Sequence, residues 1–426
     1  MKRKTGVLLI IAIFTTIFLY ACSSNDKSND SEASNNDDKT VIKIAHRWPG
    51  EPQSSYFDEL VEEFEKENPD IQVDQTTALN DDYKQKIKVM LGEDNAPDVF
   101  FTWVGKSFGD EFIDKDIAMD LTEYYEDDED WSDKLIATEP FVEDDKYYGV
   151  PIYTDSKVFY YNKEMFDEYN LEEPETWEEF IDILDTLKEN GETPIQFGNQ
   201  ASWAGGHYIT ALNQRMVDKE TVEKDYEDPD FSDPMYVEAL KKFQELLPYT
   251  NESVNAEDHE ETRTLFTTGS AAITFMETFE ATYMEDDADY EWDTFNFPEI
   301  KEGEGDQSGI IGAPEGFMVH NETDHPEEAM KLLKFITSEA MGEKLTKETG
   351  MPSSVEGTVN NETATEKEVE LTDMIAENED DILNWIDQGV SPQLAKVYTD
   401  EFQNLTADEA TPEEVMEKVQ EQAKSE

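Results

Sequence analysis

Apolar and polar positions alternate with two different periods along the chain. Between residues 56 and 67, Phe57, Leu60 and Phe64 fall on one helical face, which predicts an amphipathic helix. Short runs of β-branched and aromatic residues predict strands between such helices. The predicted strands are residues 41–45, 71–73, 97–101 and 193–197, and the predicted helices are residues 56–67, 83–91, 177–190, 236–247, 326–337, 369–376, 394–403 and 412–424. This alternation predicts a mostly parallel α/β sheet with ligand-accessible loops at its strand ends.

Residues 147–165 (YYGVPIYTDSKVFYYNKEM) form the least acidic stretch of the central chain. They hold six aromatic residues but only Asp155 and Glu164 as acids. Gly149 and Pro151 oppose a helix, whereas the aromatic and β-branched residues favour strand. Because proline cannot donate to a β-ladder, we expect the chain to bend at Pro151 between two strands. The pattern fits a crossing between two lobes, and it also fits an ordinary buried hairpin.

A loop of small and polar residues is predicted at residues 198–206 (GNQASWAGG), after the strand at 193–197. It contains a single large aromatic residue, Trp203. A large aromatic in a loop at a strand end is more informative about ligand binding than one on a helix face.

Charge restricts the possible partners. The formal net charge is −70, from 103 acidic and 33 basic residues. Nucleic-acid binding needs a basic face, so this class of function is disfavoured. The acids are spread along the whole chain, which is typical of solvation in salty or alkaline surroundings. The acidic cluster at residues 286–293 lacks the central glycine of a calcium loop, and no metal site is predicted.

The first 22 residues have the pattern of an export signal. Three basic residues precede an apolar core at residues 7–20, which is short for a membrane span. Cys22, the only cysteine, ends a Leu-Tyr-Ala-Cys sequence that resembles a lipobox, so we expect it to be acylated. A plain signal peptide with an incidental cysteine is the alternative. Residues 23–39 are almost entirely polar and are predicted to form a flexible acidic tether.

No motif in the sequence is typical of catalysis. The five histidines show neither His-x-x-x-His nor His-Glu-x-x-His spacing. A Gly-x-Ser-x-Gly elbow and a phosphate-binding glycine loop are both absent from the sequence. A carboxylate pair for glycoside hydrolysis cannot be distinguished from the many other acids, so a secreted glycosidase is a minor alternative. No catalytic residue and no cofactor is predicted.

Several segments, in their order, resemble the family 1 extracellular solute-binding proteins of carbohydrate ABC importers. GVPIYTDSKVFYYNKEMF followed by PETWEEFIDILDTLK resembles the first crossing between lobes and the start of the second lobe. LFTTGSAAITF, IIGAPEGFMVH and PEEAMKLLKFIT resemble later elements, so that the resemblance covers residues 40–426. It implies a two-lobed, periplasmic-binding-protein-like α/β fold of type II. Each lobe would be a mostly parallel sheet flanked by helices, and crossing strands would join the lobes.

The resemblance also implies a domain organisation. A lipoprotein signal peptide (residues 1–22) and the tether (23–39) precede the folded body. The N-terminal lobe would consist of residues 40–152 and 313–350, and the C-terminal lobe of residues 153–312 and 351–426.

The function implied is that of a monomeric lipoprotein anchored through Cys22 at the outer face of the cell membrane. It would capture a sugar or oligosaccharide between its lobes by hinge bending and deliver it to the permease subunits of an ABC importer. Two alternatives stay open: a non-sugar ligand such as a polyamine or peptide, and a surface adhesin with the same architecture.

Aromatic residues after predicted strands are the candidates for stacking on a sugar. Trp48, Trp103 and Trp203 occupy such positions, and the C–H faces of pyranose rings stack on aromatic rings. Trp177 is predicted to lie in the core because it opens an amphipathic helix. Trp131 and Trp292 have the surroundings of surface or packing residues, and for Trp131 the acidic EDDEDWSDK context predicts exposure.

The other candidates come mainly from the resemblance and from their position beside these aromatics. Sugar hydroxyls bind planar, directional side chains such as carboxylates. The further predicted ligand-binding residues are Glu51, Asp155, Glu277, Phe279, Trp385, Asp387 and Tyr398. For each acid except Asp155, a solvated surface carboxylate is an equally good interpretation.

Overall fold

A computed structural model describes residues 39–378 and 381–426. The predicted signal peptide, Cys22 and the tether up to residue 38 lie outside the described residues. No helix within the described ranges combines the length and the apolarity that a membrane crossing requires.

The strands are short except for two. They are β1 (Thr40–His46), β2 (Ile71–Thr77), β3 (Val99–Trp103), β4 (Val142–Glu143), β5 (Lys146–Tyr147), β6 (Gly149–Asn162), β7 (Ile195–Gln196), β8 (Ile273–Glu277), β9 (Trp292–Phe295), β10 (Ile310–Val319) and β11 (Ile382–Leu383).

Helices connect and cover these strands. In the first part of the chain they are α1 (Gln53–Glu67), α2 (Asn80–Met90), α3 (Gly109–Asp114), α4 (Thr122–Glu126), α5 (Glu129–Ser132), α6 (Lys163–Tyr169), α7 (Trp177–Glu189), α8 (Trp203–Met216) and α9 (Lys219–Glu227). In the second part they are α10 (Met235–Leu246), α11 (His259–Thr267), α12 (Ala281–Asp287), α13 (Pro326–Ile336), α14 (Glu339–Thr349), α15 (Glu366–Glu377), α16 (Ile386–Gly389), α17 (Pro392–Thr406) and α18 (Pro412–Ala423).

Nine of the strands form one mixed sheet. Its order is β2-β1-β3-β10-β6-β8-β7, with β11 beside β10 and β9 beside β6. We call β2, β1, β3 and β10, with helix α2 and the loop after β1, the first section. We call β8, β7 and β9, with helices α8 and α16, Trp385 and the turn after β8, the second section. The pairs β1–β2, β1–β3 and β7–β8 are parallel, as the strand–helix alternation predicts. The two long strands β6 and β10 add antiparallel pairings, so the sheet is mixed rather than mostly parallel.

Strand β6 links the two sections. Its residues 149–156 pair with β10, and its residues 157–162 pair with β8 and β9. All of its residues are buried, in agreement with the low acidity of this stretch. The expected break at Pro151 is an irregularity within one strand: Gly316 faces Pro151 and Glu315 faces Tyr153, so the register shifts between them. A proline without an N–H is tolerated at such a bulge, and the hairpin interpretation is wrong.

Helix α8 corrects the loop predicted at residues 198–206. The helix begins at Trp203 and includes Gly205 and Gly206. Glycine disfavours helix, which is why the sequence pattern predicts a loop there. The structure uses Gly205 for close packing, because a Cβ at this position would lie 2.6 Å from Cδ1 of Phe402 on α17. The packing of Gly205 against α17 therefore outweighs the low helix propensity of glycine.

Trp177 and Trp131 lie outside the sheet and pack against neighbouring aromatic rings. Trp177 is buried and stacks on Phe297, which confirms its place in the core. Trp131 is half-buried, since its indole donates to Oγ1 of Thr337 at 2.9 Å and packs on Tyr125; the predicted exposure is wrong. Most of its acidic neighbours are exposed, but the ring itself turns inward.

Candidate functional site

A cavity of about 500 Å³ lies where β6 and β10 pass between the two sections. Its volume falls within the range of roughly 300–1,000 Å³ that is usual for small-molecule sites. Asp155 of β6 and Glu315 of β10 stand in its wall. The predicted site residues that line it are Trp48, Glu51, Trp103, Asp155, Trp203, Glu277, Phe279 and Trp385. We call this cavity the cleft.

Two predicted residues do not line the cleft. Asp387 contacts a residue of the lining instead: its Oδ2 accepts from Nζ of Lys84, which lines the cleft, at 3.4 Å. Tyr398 is fully buried, with its hydroxyl 3.4 Å from Asn213 Nδ2 and its ring edge-on to Phe231. The prediction that Tyr398 stacks on a ligand is therefore wrong, because its position on α17 turns the ring into the packing between helices.

Two cleft tryptophans belong to an aromatic cluster of the first section. Trp48 follows β1 and stacks on Phe57, with ring centroids 5.0 Å apart. Trp103 ends β3 and meets Phe101 edge-on at 5.0 Å. Their relative exposures are only 7% and 2%, so each presents a small part of its ring to the cleft.

The aromatic residues of the second section are held differently. Trp203 is half-buried at the start of α8, and its Nε1 donates to Oδ1 of Asp81 at 3.1 Å. Trp385 is buried and stacks on His207, with centroids 4.0 Å apart. Phe279 is half-buried in a 3-10 turn after β8 and lies 5.9 Å from the Arg47 guanidinium. Rings from both sections thus border one cavity.

Arg47 anchors a polar group on the wall formed by the first section. Its guanidinium donates to the hydroxyl of Tyr153 at 2.5 Å and lies 3.2 Å from Glu315 Oε2. The same hydroxyl donates to Glu315. The guanidinium also lies 5.4 Å from the ring centroids of both Trp48 and Phe101, which is within cation–π distance.

Glu277 is the centre of a second polar group. Its Oε1 lies 3.3 Å from Lys157 Nζ, which also contacts His207 Nδ1 at 3.0 Å. Burial alone would raise the pKa of Glu277, but Lys157 and His259 outweigh it and hold the pKa well below its ordinary value. Glu277 is therefore ionised and its charge is compensated from within the protein.

Three ligand-type atoms of His259, Glu277 and Glu280 lie within 4.8 Å of one another. Glu280 accepts from His259 Nε2 at 2.6 Å and from Arg263 at 2.8 Å, while Glu277 pairs with Lys157. Both oxygens of Glu280 are thus paired, whereas Glu277 Oε2 lies 3.7 Å from His259 Nε2 and has no hydrogen-bond partner among the described residues.

Asp155 behaves differently from these paired acids. Burial raises its pKa well above the ordinary value, and Glu277 raises it further, so the protonated form is favoured. Its Oδ1 accepts from the backbone N–H of Ser156 at 3.0 Å and from both donors of Thr278, at 3.1 and 2.6 Å. When the carboxyl is protonated, Oδ2, which accepts none of these bonds, carries the proton, and the side chain acts as a neutral hydrogen-bond donor.

The basic partners of the carboxylates in this wall are not among the residues predicted from the sequence. The missed residues are Arg47, Lys84, Lys157, His207, His259 and Arg263. Two of them carried a usable signal: Arg47 adjoins Trp48 in one loop, and Lys157 follows Asp155 by two positions, which puts both on one face of a strand. His207 and His259 are 52 positions apart and meet only through the fold.

Residues 48–343 match the protein family described as "Bacterial extracellular solute-binding protein". It is 24% identical over 374 residues to the multiple sugar-binding protein of Streptococcus mutans serotype c, covering 83% of each chain. It is 27% identical over 198 residues to the melibiose/raffinose/stachyose-binding protein MelE of Bacillus subtilis, covering 45% of this chain and 42% of the relative.

Solved structures show the same fold. A structure from work on xylan utilisation by the thermophilic bacterium Caldanaerobius polysaccharolyticus has a TM-score of 0.84 and 25% identity, covering 89% of this chain and 99% of that chain. A chitin oligosaccharide binding protein has a TM-score of 0.82 and 22% identity, covering 91% and 99%. The architecture is thus the predicted two-lobed α/β fold. The chain belongs to the bacterial extracellular solute-binding protein family.

Proposed function

We propose that this protein binds a neutral sugar or oligosaccharide in the cleft and delivers it to an ABC importer. The observation that carries the proposal is the pairing of charges in the cleft wall. Three carboxylates of the wall are paired: Glu277 with Lys157, Glu280 with Arg263, and Glu315 with Arg47. The cleft-lining Lys84 is paired with Asp387, which lies outside the lining. Asp155 favours its protonated form. Aromatic rings and compensated polar groups suit a ligand that has C–H faces and hydroxyls but no charge.

The relatives support the same ligand class. The names of the Streptococcus mutans and Bacillus subtilis proteins state that they bind sugars, and that of the chitin oligosaccharide binding protein states an oligosaccharide. We extend that class to this chain. The residues that we propose to contact the ligand are Trp48, Glu51, Trp103, Asp155, Trp203, Glu277, Phe279 and Trp385.

We further propose that the protein acts as a lipid-anchored monomer outside the cytoplasm. Acylation at Cys22 and the tether at residues 23–39 would keep the folded body near the permease. The lobes would be residues 40–152 with 313–350, and residues 153–312 with 351–426. The packing of α14 on α1 supports the return of the chain to the first lobe. Strands β6 and β10 would then carry the hinge.

A cationic ligand such as a polyamine or a basic peptide is the second candidate. The net charge of −70 and the acids at the cleft mouth, among them Glu51, Asp81 and Glu260, favour it. The buried wall does not, because its charged carboxylates are already paired. For a cation, an ionised Asp155 would have to be the main partner.

Calorimetric titration separates the two candidates. The probes are maltotriose, xylotriose and diacetylchitobiose as neutral sugars, and spermidine and trilysine as cations. We expect binding of at least one sugar with little dependence on sodium chloride. Binding of a cation alone, weakening steeply with salt, would contradict the proposal, since only charged partners are screened.

A further inference from the structure

We propose that Lys84 determines specificity in this cleft: its ammonium group donates to the bound ligand from between Trp103 and Trp203, and Asp387 holds it there. The inference deepens the proposed sugar binding and rests on it. Lys84 belongs to α2, outside the segments that suggest sugar binding in the sequence.

Helix α2 is fixed firmly enough to place this side chain. Tyr83, the neighbour of Lys84, is 1% exposed, and its hydroxyl lies 2.8 Å from the carbonyl oxygen of Phe101 and 3.1 Å from that of Ala45. Ile87, one turn further along, is equally buried. The helix is thus bound to β1 and β3 of the first section, and Lys84 projects from a rigid support.

The ammonium group lies between rings that come from opposite sections. Its Nζ is 5.0 Å from the ring centroid of Trp103, on β3, and 5.4 Å from that of Trp203, on α8. Both distances allow a cation–π interaction. Lys84 lines the cleft, so a ligand that stacks on either ring comes within reach of its Nζ.

Asp387 is the hydrogen-bond partner that holds the ammonium group of Lys84 beside these two rings. Its Oδ2 lies 3.4 Å from Nζ, and within residues 39–378 and 381–426 this is the only hydrogen-bond acceptor of that group. An ammonium group has three N–H donors, so two stay available for a ligand. Asp387 sits on α16, which is joined to α8 by the bond from Ile386 N–H to Thr210 Oγ1 at 2.9 Å. Asp387 is thus a positioning residue on the second section.

These contacts define the chemistry of the ligand. The two free N–H groups need oxygen acceptors, which a sugar supplies as hydroxyl and ring oxygens, and a charged donor makes strong hydrogen bonds. A polyamine offers no such acceptor and would be repelled by the ammonium charge. Lys84 therefore favours oxygen-rich ligands and opposes cations, which the acidic surface would otherwise attract.

The test compares Lys84→Met with Lys86→Met by calorimetry with maltotriose, xylotriose and diacetylchitobiose. Lys86 is a matched control because it is on the same helix, exposed, and paired with Asp82 at 3.1 Å. We expect Lys84→Met to weaken the binding of the sugar that the wild type prefers at least tenfold, and Lys86→Met to change it less than twofold. Lys84→Gln serves as a second variant if Lys84→Met lowers the melting temperature.

A double-mutant cycle then tests the role of Asp387. We expect Asp387→Asn to weaken binding, and the double variant Lys84→Met/Asp387→Asn to lose little more than Lys84→Met alone. A wild type that binds sugar while both Lys84 variants match its affinity would overturn this inference and leave the proposed function intact. A wild type that binds only spermidine would overturn both.

Discussion

The cleft tryptophans are not equally useful as probes of binding; they are Trp48, Trp103 and Trp203. Trp48 and Trp103 are enclosed by Phe57, Phe101 and other rings, so their truncation removes core packing, at a typical cost of about 3–5 kcal/mol in the free energy of unfolding. Trp203 is half-buried and sits at the start of a helix. A change in affinity after its truncation can therefore be attributed to the ligand contact.

His46 gives the first prediction, which concerns acid stability. The residue is buried at the end of β1, with Nε2 3.0 Å from Gln75 Oε1, and burial lowers its pKa to about 4. The unfolded chain takes up this proton below pH about 6.5, whereas the folded protein resists until pH about 4. Its contribution to stability is thus complete above pH about 6.5 and is lost as the pH falls.

Urea unfolding of the wild type and of His46→Asn at pH about 7 and about 5 measures this effect. Between these values the wild type should lose about 2 kcal/mol more of its unfolding free energy than the variant. Asp and Glu residues titrate in both proteins, so the comparison isolates His46. Equal losses would show that this imidazole is not kept neutral.

The second prediction concerns the pairing of β6 with β10. Gly312 faces Ser156, and a Cβ at this position would lie 2.3 Å from the carbonyl oxygen of Asp155. Alanine would force two backbones apart, and overpacking of this kind typically costs about 1–3 kcal/mol. Gly92 is the control, because a Cβ there meets only the carbonyl oxygen of Val89, at 3.6 Å.

Gly312→Ala should therefore lower the urea midpoint clearly, and Gly92→Ala should leave it nearly unchanged. Equal midpoints for the two variants would mean that the two strands are less tightly paired than the structure describes.

Strand β6 and helix α8 show what the sequence could predict of the elements. The aromatic and β-branched residues of β6 mark a strand, because burial on both faces selects such residues. Helix α8 was missed because Gly205 and Gly206 disfavour helix locally, while the contact of Gly205 with Phe402 joins positions nearly 200 residues apart. Local patterns could not reveal that contact.

Some residues of the candidate site could likewise be predicted from the sequence, and others could not. Trp48 and Trp103 stand at the ends of strands, where the alternation of strands and helices already indicates a ligand site. The partners of Glu277 come from β6, α8 and α11, and their distances are set only when these elements pack. Tyr398, on a late helix, was predicted to contact the ligand, but it is buried in the core.

The net charge of the whole molecule gives the third prediction. A charge of −70 repels itself in the compact state, and salt screens this repulsion. The Debye length falls from about 30 Å at 0.01 M to about 3 Å at 1 M. The melting temperature should therefore rise over this range of sodium chloride. A melting temperature that stays constant or falls with added salt would indicate that the acidic charges are already compensated within the protein.

The central claim is that the cleft binds a neutral sugar by stacking, and calorimetry of Trp203→Ala tests it most directly. Trp131→Ala is the control, since Trp131 is also half-buried but donates to Thr337 rather than lining the cleft. Loss of a binding hot spot costs about 2 kcal/mol or more, which is more than tenfold in affinity. We predict that Trp203→Ala weakens the binding of the preferred oligosaccharide by at least that factor and that Trp131→Ala leaves it unchanged. Equal affinities of wild type and Trp203→Ala would contradict the account.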